Sequence, residues 1–401
     1  MTTDEPRPPP PQFAAKLRRV LGGRAGWGGF VLQILFAAAL VWIGYEIVAN
    51  ARANLQSQRI TSGFGFLANT AGFDVSQSLI PYSGSDSYAR VFLVGLLNTL
   101  AVAIIGIFFA TVIGFLIALG RLSPNWLLSR ICGGYVELVR NLPLLFQILF
   151  WYLAVLGALP GPRQSISLFG GIFLSNRGLV VPKPISTVGF APFAFALLIA
   201  IVASWLLRIY ARRQLFLTGR LLTIWPYALG LLIGLPLMAW LVFGAPVTFE
   251  IPELKGFNFS GGSHVIPEFV ALTLALSIYT GAFIAEIVRA GIQSVHKGQM
   301  EAGASLGLAR GLTLRLIIVP QALRVILPPL TNQYLNLTKN SSLAVAIGYP
   351  DLVSVFAGTT LSQTGQAIEI IAITMGVYLL ISLVTSAMMS FYGWRISRSL
   401  G

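Results

Sequence analysis

The chain is dominated by stretches long and apolar enough to cross a lipid bilayer, and these leave few architectures open. A crossing takes about 20 mostly apolar residues in a helix, because hydrocarbon offers no partner for an unpaired backbone amide. Eight segments qualify: 30–49, 91–119, 136–159, 190–209, 221–243, 268–288, 325–347 and 367–392. Of 401 residues, 56% are hydrophobic and only 10% charged. Soluble domains carry about 25% charged residues, so an ordinary water-soluble enzyme is excluded. The expected fold class is an all-α polytopic membrane protein with about eight transmembrane helices. The first segment follows a long Pro-rich tail, not a short charged leader, and reads as a retained helix.

Basic residues alternate with these segments. Arg7, Lys16, Arg18, Arg19 and Arg24 precede the first. Arg121, Arg130 and Arg140 fall between the second and third, with Arg140 just inside the third. Arg208, Arg212, Arg213 and Arg220 join the fourth to the fifth; Arg289, Lys297, Arg310, Arg315 and Arg324 follow the sixth; Arg395 and Arg398 follow the eighth. The intervening loops hold fewer: Arg52, Arg59, Arg90, Arg163, Arg177, Lys183 and Lys255. The positive-inside rule then places both termini in the cytoplasm, which an even number of crossings allows. Topology thus accounts for the net charge of +14, and no nucleic-acid partner is implied.

The chemistry of the chain is sparse. One cysteine, Cys132, permits no disulfide, and His264 and His296 are too far apart in sequence to suggest a metal pair. No G-x-x-x-x-G-K-[ST] loop is present to cradle nucleotide phosphates, and no nucleophile–base set stands out. The chain therefore reads as neither an ATPase nor a hydrolase. No repeat of fixed period is evident.

The segment 290–324 is the most informative. It is too polar to span, yet patterned. Gly298 can end or redirect the chain ahead of a short helix over 299–308, whose Ala302, Gly303, Ala304 and Gly307 are small. Such a helix can press closely on another protein, or lie amphipathically on lipid headgroups. Glu301 sits near its start, where the helix dipole favours an acid, and Pro320 punctuates the return toward the membrane.

This segment resembles the signature loop of ABC importer permeases, E-A-A, three residues, G, nine residues, I-x-L-P. Here it runs Glu301-Ala302-Gly303, three residues, Gly307, nine residues, Ile317, Ile318, Val319-Pro320. Gly303 replaces the usual Ala and Val319 the usual Leu. Tyr135-Val136-Glu137 to Arg140 and Pro143-Leu144-Leu145 are similar to the Y-V-E-x-x-R-x-x-P-L-L stretch of polar amino acid permeases. So are Ala285-Glu286-Ile287-Val288-Arg289 and Pro320 to Pro329. The resemblance implies a type I, binding-protein-dependent core of five spans, divided between 90–159 and 267–397. Ahead of it stand a tail (1–29) and an extra N-terminal span (30–49), and the segment 160–266 inserts loops and a further span pair. A long permease of this kind is most like the larger permease subunit of general L-amino-acid importers in Gram-negative bacteria. It implies an inner-membrane protein working with an ABC ATPase dimer, which binds ATP and Mg, a periplasmic amino-acid-binding protein, and a second permease that is a paralogue or another copy. Gly298, Glu301, Ala302, Gly303, Gly307 and Pro320 would then make the ATPase coupling.

Charges in or beside spans are costly and usually functional. Glu137 and Arg140, and again Glu286 and Arg289, stand three apart and can pair on a helix face, as anchors or as a gate. Asn332, Asn336, Lys339, Asn340 and Ser341 make the seventh span polar, and its face should line the substrate pathway or a subunit interface. Asn340 stands where the family's N-L-x-K-D-[ST]-S-L stretch carries Asp. Loss of that carboxylate predicts a weaker preference for cationic amino acids, and Lys339 a preference for zwitterionic or acidic ones. Gly230 and Gly234 offer a possible helix-packing face. The competing class is a proton-coupled secondary amino acid transporter using Glu46, Glu137, Glu286 or Glu369, which would have no need of a docking loop.

Overall fold

The computed structural model describes residues 26–57, 63–219 and 222–399. The tail expected over 1–29 lies outside them up to residue 25. Contacts divide the chain into two units. The first holds helix α1 (Gly26–Ser57), apolar over Val31–Ile47, together with residues 361–370. Within it the Gly63 amide donates to Glu369 Oε1 at 2.7 Å.

The second unit contains α2 (Tyr88–Arg121), α3 (Trp126–Asn141), α4 (Leu144–Leu156), α5 (Phe190–Thr218), α6 (Trp225–Phe243), α7 (Pro267–Gln293), α8 (Lys297–Ser305), α9 (Arg310–Ile347) and most of α10 (Ala367–Ser399). Six of the described helices are long and apolar enough to cross a membrane: α2, α5, α6, α7, α9 and α10. The third expected span, 136–159, is not one straight helix. α3 and α4 meet at 106°. Pro143 has no amide to donate and forces Leu142 into extended backbone (φ −94°, ψ 132°), which breaks the helix there. Gln147 tidies the break: its Nε2 donates to the carbonyls of Val139 and Leu142 at 2.9 and 3.1 Å. The seventh span is longer than its hydropathy suggests, running unbroken from Arg310 through a π-helical turn at Leu314–Ile318. Pro320 therefore lies inside a continuous helical run, not at a return turn, and the π-helical turn just before it takes up the missing amide.

The core is the parallel pair α2 and α7, with α9 antiparallel to both. Along α2 the small residues Gly106, Ala110, Gly114 and Ala118 recur every four positions. They let the backbones approach so closely that a Cβ on Gly114 would lie 2.6 Å from Ile284. Leu337 of α9 fills the space beside Gly106, and Ile326 packs on Gly291. Gly230 and Gly234 do not play this role: among the described residues, nothing beyond their own helix backbone and chain neighbours comes within 4 Å of where their Cβ would be. The α5–α6 hairpin instead buries Ala200 and Ser204, with Ala228, Pro236 and Ala239 opposite on α6.

The two loops flanking that hairpin are not irregular. They form short antiparallel strands: β1 (Ile166–Leu168), β2 (Ile172–Ser175), β3 (Gly178–Val181), β4 (Lys183–Ser186), β5 (Val247–Glu250), β6 (Glu253–Lys255), β7 (Asn258–Ser260) and β8 (Ser263–Val265). The sheet order β1-β2-β3-β8 and the pair β4-β5 join residues on either side of the inserted hairpin. Strands this short carry too little alternation to show in sequence.

Candidate functional site

The signature segment folds as a capped helix, α8. Its N-cap is His296, whose Nδ1 accepts from the Gly298 amide at 3.1 Å. The helix thus begins at Lys297, two residues earlier than expected, and Gly298 lies in its first turn instead of ending the preceding element. Glu301 is correspondingly in the second turn and exposed. At the other end Leu308 N donates to Gly303 O and Gly307 N to Ala304 O, at 3.0 and 2.9 Å. These two bonds define a Schellman motif, with Gly307 at φ +73°. The signature glycine is therefore a helix terminator: the left-handed conformation costs an L residue about 1–2 kcal/mol.

Gly303 has a steric explanation. It is buried, and a Cβ added to it would lie 2.5 Å from Thr313 Cγ2 and 2.8 Å from Thr313 Oγ1. Gly303 lets α8 lie directly on the first turn of α9, and Gln321 Nε2 to Gln299 Oε1 at 3.4 Å adds a second tie. The outward face carries Glu301, Ala302, Ser305 and Leu306, all exposed, Leu306 at 77%. Restoring the family's usual residue should thus do harm. Gly303→Ala is expected to overpack this contact by about 1–3 kcal/mol and to lower uptake at equal membrane abundance. Thr313→Ala in the same chain should recover it, and unchanged uptake by Gly303→Ala alone would remove the contact's importance.

The charged pairs differ from expectation. Glu137 and Arg140 are both exposed and do not pair; Arg140 lies over the Phe283 ring of α7, 5.0 Å from its centroid. The aromatic face offers the guanidinium a partner on the neighbouring helix. Glu286 does bind Arg289, and it also binds Arg121 at the end of α2. The side chains are only 18% to 27% exposed. Arg121 is a positive-inside residue by sequence and nothing marked it as a partner of Glu286, 165 positions away.

Along α9 the residues Gln321, Arg324, Val325, Pro328, Asn332, Asn336 and Lys339 are exposed, at spacings that make one stripe. The opposite face buries Ala322, Ile326, Leu330 and Leu337. Asn340 is turned part-way inward and Ser341 is fully buried, its Oγ donating to Thr338 O at 2.7 Å. A further polar node escaped sequence reasoning. Asp351 is fully buried; its Oδ1 accepts from the Ser354 amide at 2.8 Å, and Tyr378 hydroxyl reaches Oδ2 at 3.5 Å. Asn98 Nδ2 donates to Pro350 O and Thr99 Oγ1 accepts from Leu352 N, at 2.9 and 3.0 Å. The Tyr349-Pro350-Asp351 turn was the available signal. Among the described residues no cluster of His, Cys, Asp and Glu could hold a metal ion.

Residues 110–398 match the family model described as a binding-protein-dependent transport system inner membrane component. The chain is 56% identical over 368 residues to the putative amino-acid ABC transporter permease protein YhdX of Escherichia coli strain K12, covering 92% of this chain and 94% of that one. It is 52% identical over 366 residues to the general L-amino acid transport system permease protein AapQ of Rhizobium johnstonii, covering 91% of each. It is 40% identical over 397 residues to the glutamate/glutamine/aspartate/asparagine transport system permease protein BztB of Rhodobacter capsulatus, covering 91% and 92%. Matches of this extent take in most of the inserted segment as well as the core.

Proposed function

Given that the chain belongs to the family of binding-protein-dependent transport system inner membrane components, and is an ABC-type amino-acid permease subunit, we propose that it works in an ATP-driven importer for polar and general L-amino acids. It receives substrate from a periplasmic binding protein. It couples through α8 to a cytoplasmic ABC ATPase dimer, which binds the ATP and Mg. The observation that carries the coupling is α8 itself: a nine-residue helix, capped at both ends, fixed to α9 by Gly303 and open on the face of Glu301, Ala302 and Leu306. A free-standing carrier has no use for such a rigid, outward-facing helix.

The open polar stripe of α9 supports a second permease opposite it, because Asn332, Asn336 and Lys339 cannot face lipid cheaply. In this reading the stripe lines the pathway between the two subunits, and Pro320 sits at the coupling end of the same helix. The chain lies in the bacterial inner membrane with both termini in the cytoplasm, so that α8 meets the ATPase. Purification of the tagged chain in mild detergent, followed by native mass spectrometry, tests this. An ATPase dimer and a second permease are expected in stoichiometric amounts, with uptake into proteoliposomes requiring internal ATP and external binding protein. Transport by the chain alone, insensitive to ATP and abolished by an uncoupler, would establish the proton-coupled alternative.

A further inference from the structure

The inserted hairpin ends in a cationic helix tip. α5 has 29 residues and is therefore about 44 Å long, whereas a hydrocarbon layer is about 30 Å thick. About twenty residues from Phe190 use up that thickness, which leaves residues 210–218 projecting beyond it on the Arg-rich side. α6 starts back at Trp225, and Trp225 and Tyr227 are exposed there, as aromatics at a membrane–water interface are. The hairpin packs mainly on itself, so its outer surface is left to lipid.

On the projecting turns Arg212 and Arg213 are exposed, with Arg208 half-buried one turn back. Among the described residues none of the three makes an ion pair, and the chain carries no Asp or Glu between Glu137 and Glu250, so the hairpin holds no carboxylate to offset them. A cleft of about 440 Å³ opens between α5 and the link to α6, lined by Tyr210, Gln214, Thr218 and Leu222. Its α5 wall is polar. Gln214 Nε2 donates to the Tyr210 hydroxyl at 3.1 Å, and the phenolic proton can then donate outward. Arg213 follows Tyr210 by three residues and so neighbours it on the helix surface. A tip that only set topology would need charge alone. This one also exposes Phe216 and Leu217, at 89% and 80%, and a mixture of cations and large apolar groups suits the boundary between headgroups and acyl chains.

We propose that this cleft binds the headgroup of an anionic phospholipid. Arg213 and the Tyr210 hydroxyl take the phosphate, Arg212 adds to the attraction, and the acyl chains run along the apolar surface of the hairpin. The inserted pair of helices is thereby held to the membrane by a lipid and not by the core helices.

The test titrates the full chain, purified in mild detergent with its accompanying subunits, with phosphatidylglycerol or phosphatidylcholine of the same acyl chains. Bound lipids are counted by native mass spectrometry. Wild type is expected to prefer phosphatidylglycerol. Arg212→Gln with Arg213→Gln should weaken phosphatidylglycerol about thirtyfold, since each arginine at a membrane surface is worth about fivefold, and leave phosphatidylcholine unchanged. Arg212→Lys with Arg213→Lys, which keeps the charge and the topology signal, should retain most of the preference. Equal binding of the two lipids by wild type, or an unchanged preference in the glutamine variant, would overturn the site. Displacement of the lipid by inorganic phosphate would reduce it to a general anion site, and loss of a subunit with lipid binding intact would assign the arginines to a protein contact; either overturns the lipid assignment.

Discussion

Gly307→Val is expected to lower ATP-driven uptake by about tenfold while leaving the protein inserted and folded in the membrane. The argument is conformational, not one of space. Among the described residues, nothing beyond its chain neighbours lies within 4 Å of where the Gly307 Cβ would be, but its φ is +73°. A β-branched residue is an outlier there. The penalty of about 1–2 kcal/mol falls on the Schellman bonds from Gly307 and Leu308, and so on the last turn of a helix only nine residues long. That is enough to reduce a docking equilibrium by about tenfold. Position 307 should therefore rank substituents by their tolerance of the left-handed region: Asn nearest to wild type, Ala intermediate, Val worst. Glu301→Lys should give the same loss by another route, reversing an exposed charge on the outward face without touching the fold. Uptake per assembled complex, with substrate-stimulated ATP hydrolysis, measures both. Full coupling in Gly307→Val, or a series ordered by side-chain size, would show that the left-handed turn is not what the ATPase contact needs.

The second large effect is expected at Glu286. It accepts from Arg121 of α2 and from Arg289 on its own helix, so its removal leaves two mostly buried guanidiniums facing one another. A fully buried pair broken on one side costs about 3–5 kcal/mol; with side chains about a quarter exposed, solvent screening reduces that to about 1–3 kcal/mol. Glu286→Ala should accordingly lower the unfolding temperature of the detergent-solubilised complex. Adding Arg121→Gln should return part of the loss, because the uncompensated charge goes with it. A double variant no better than the single would mean that Arg121 contributes nothing to the triad. The same contact joins α2 to α7 near their C-terminal ends.

Much of this molecule was legible in one sequence. Bilayer thickness fixes the length of an apolar helix, so hydropathy located six described helices long and apolar enough to cross a membrane; the first expected span is apolar only over Val31–Ile47 and the third is bent. The spacing around Glu301 and Gly307 located the short helix α8, though not its first residue, because a capped helix and a left-handed turn occupy a set number of residues. The partner of each residue was not legible. Arg121 looked like a topological charge until folding brought it to Glu286. Glu137 and Arg140 had the right spacing to pair, but Phe283 on a neighbouring helix took the guanidinium. Local periodicity reports which face a residue occupies, while competition among neighbours decides whom it meets. Gly303 shows the same division: as a residue it is a weak helix former, and only its contact with Thr313 explains why no side chain fits. The apolar lengths and the turn chemistry were thus set by the chain itself. The ion triad and the Asp351 node depend on segments far apart in sequence, and only their packing brought those charges within reach.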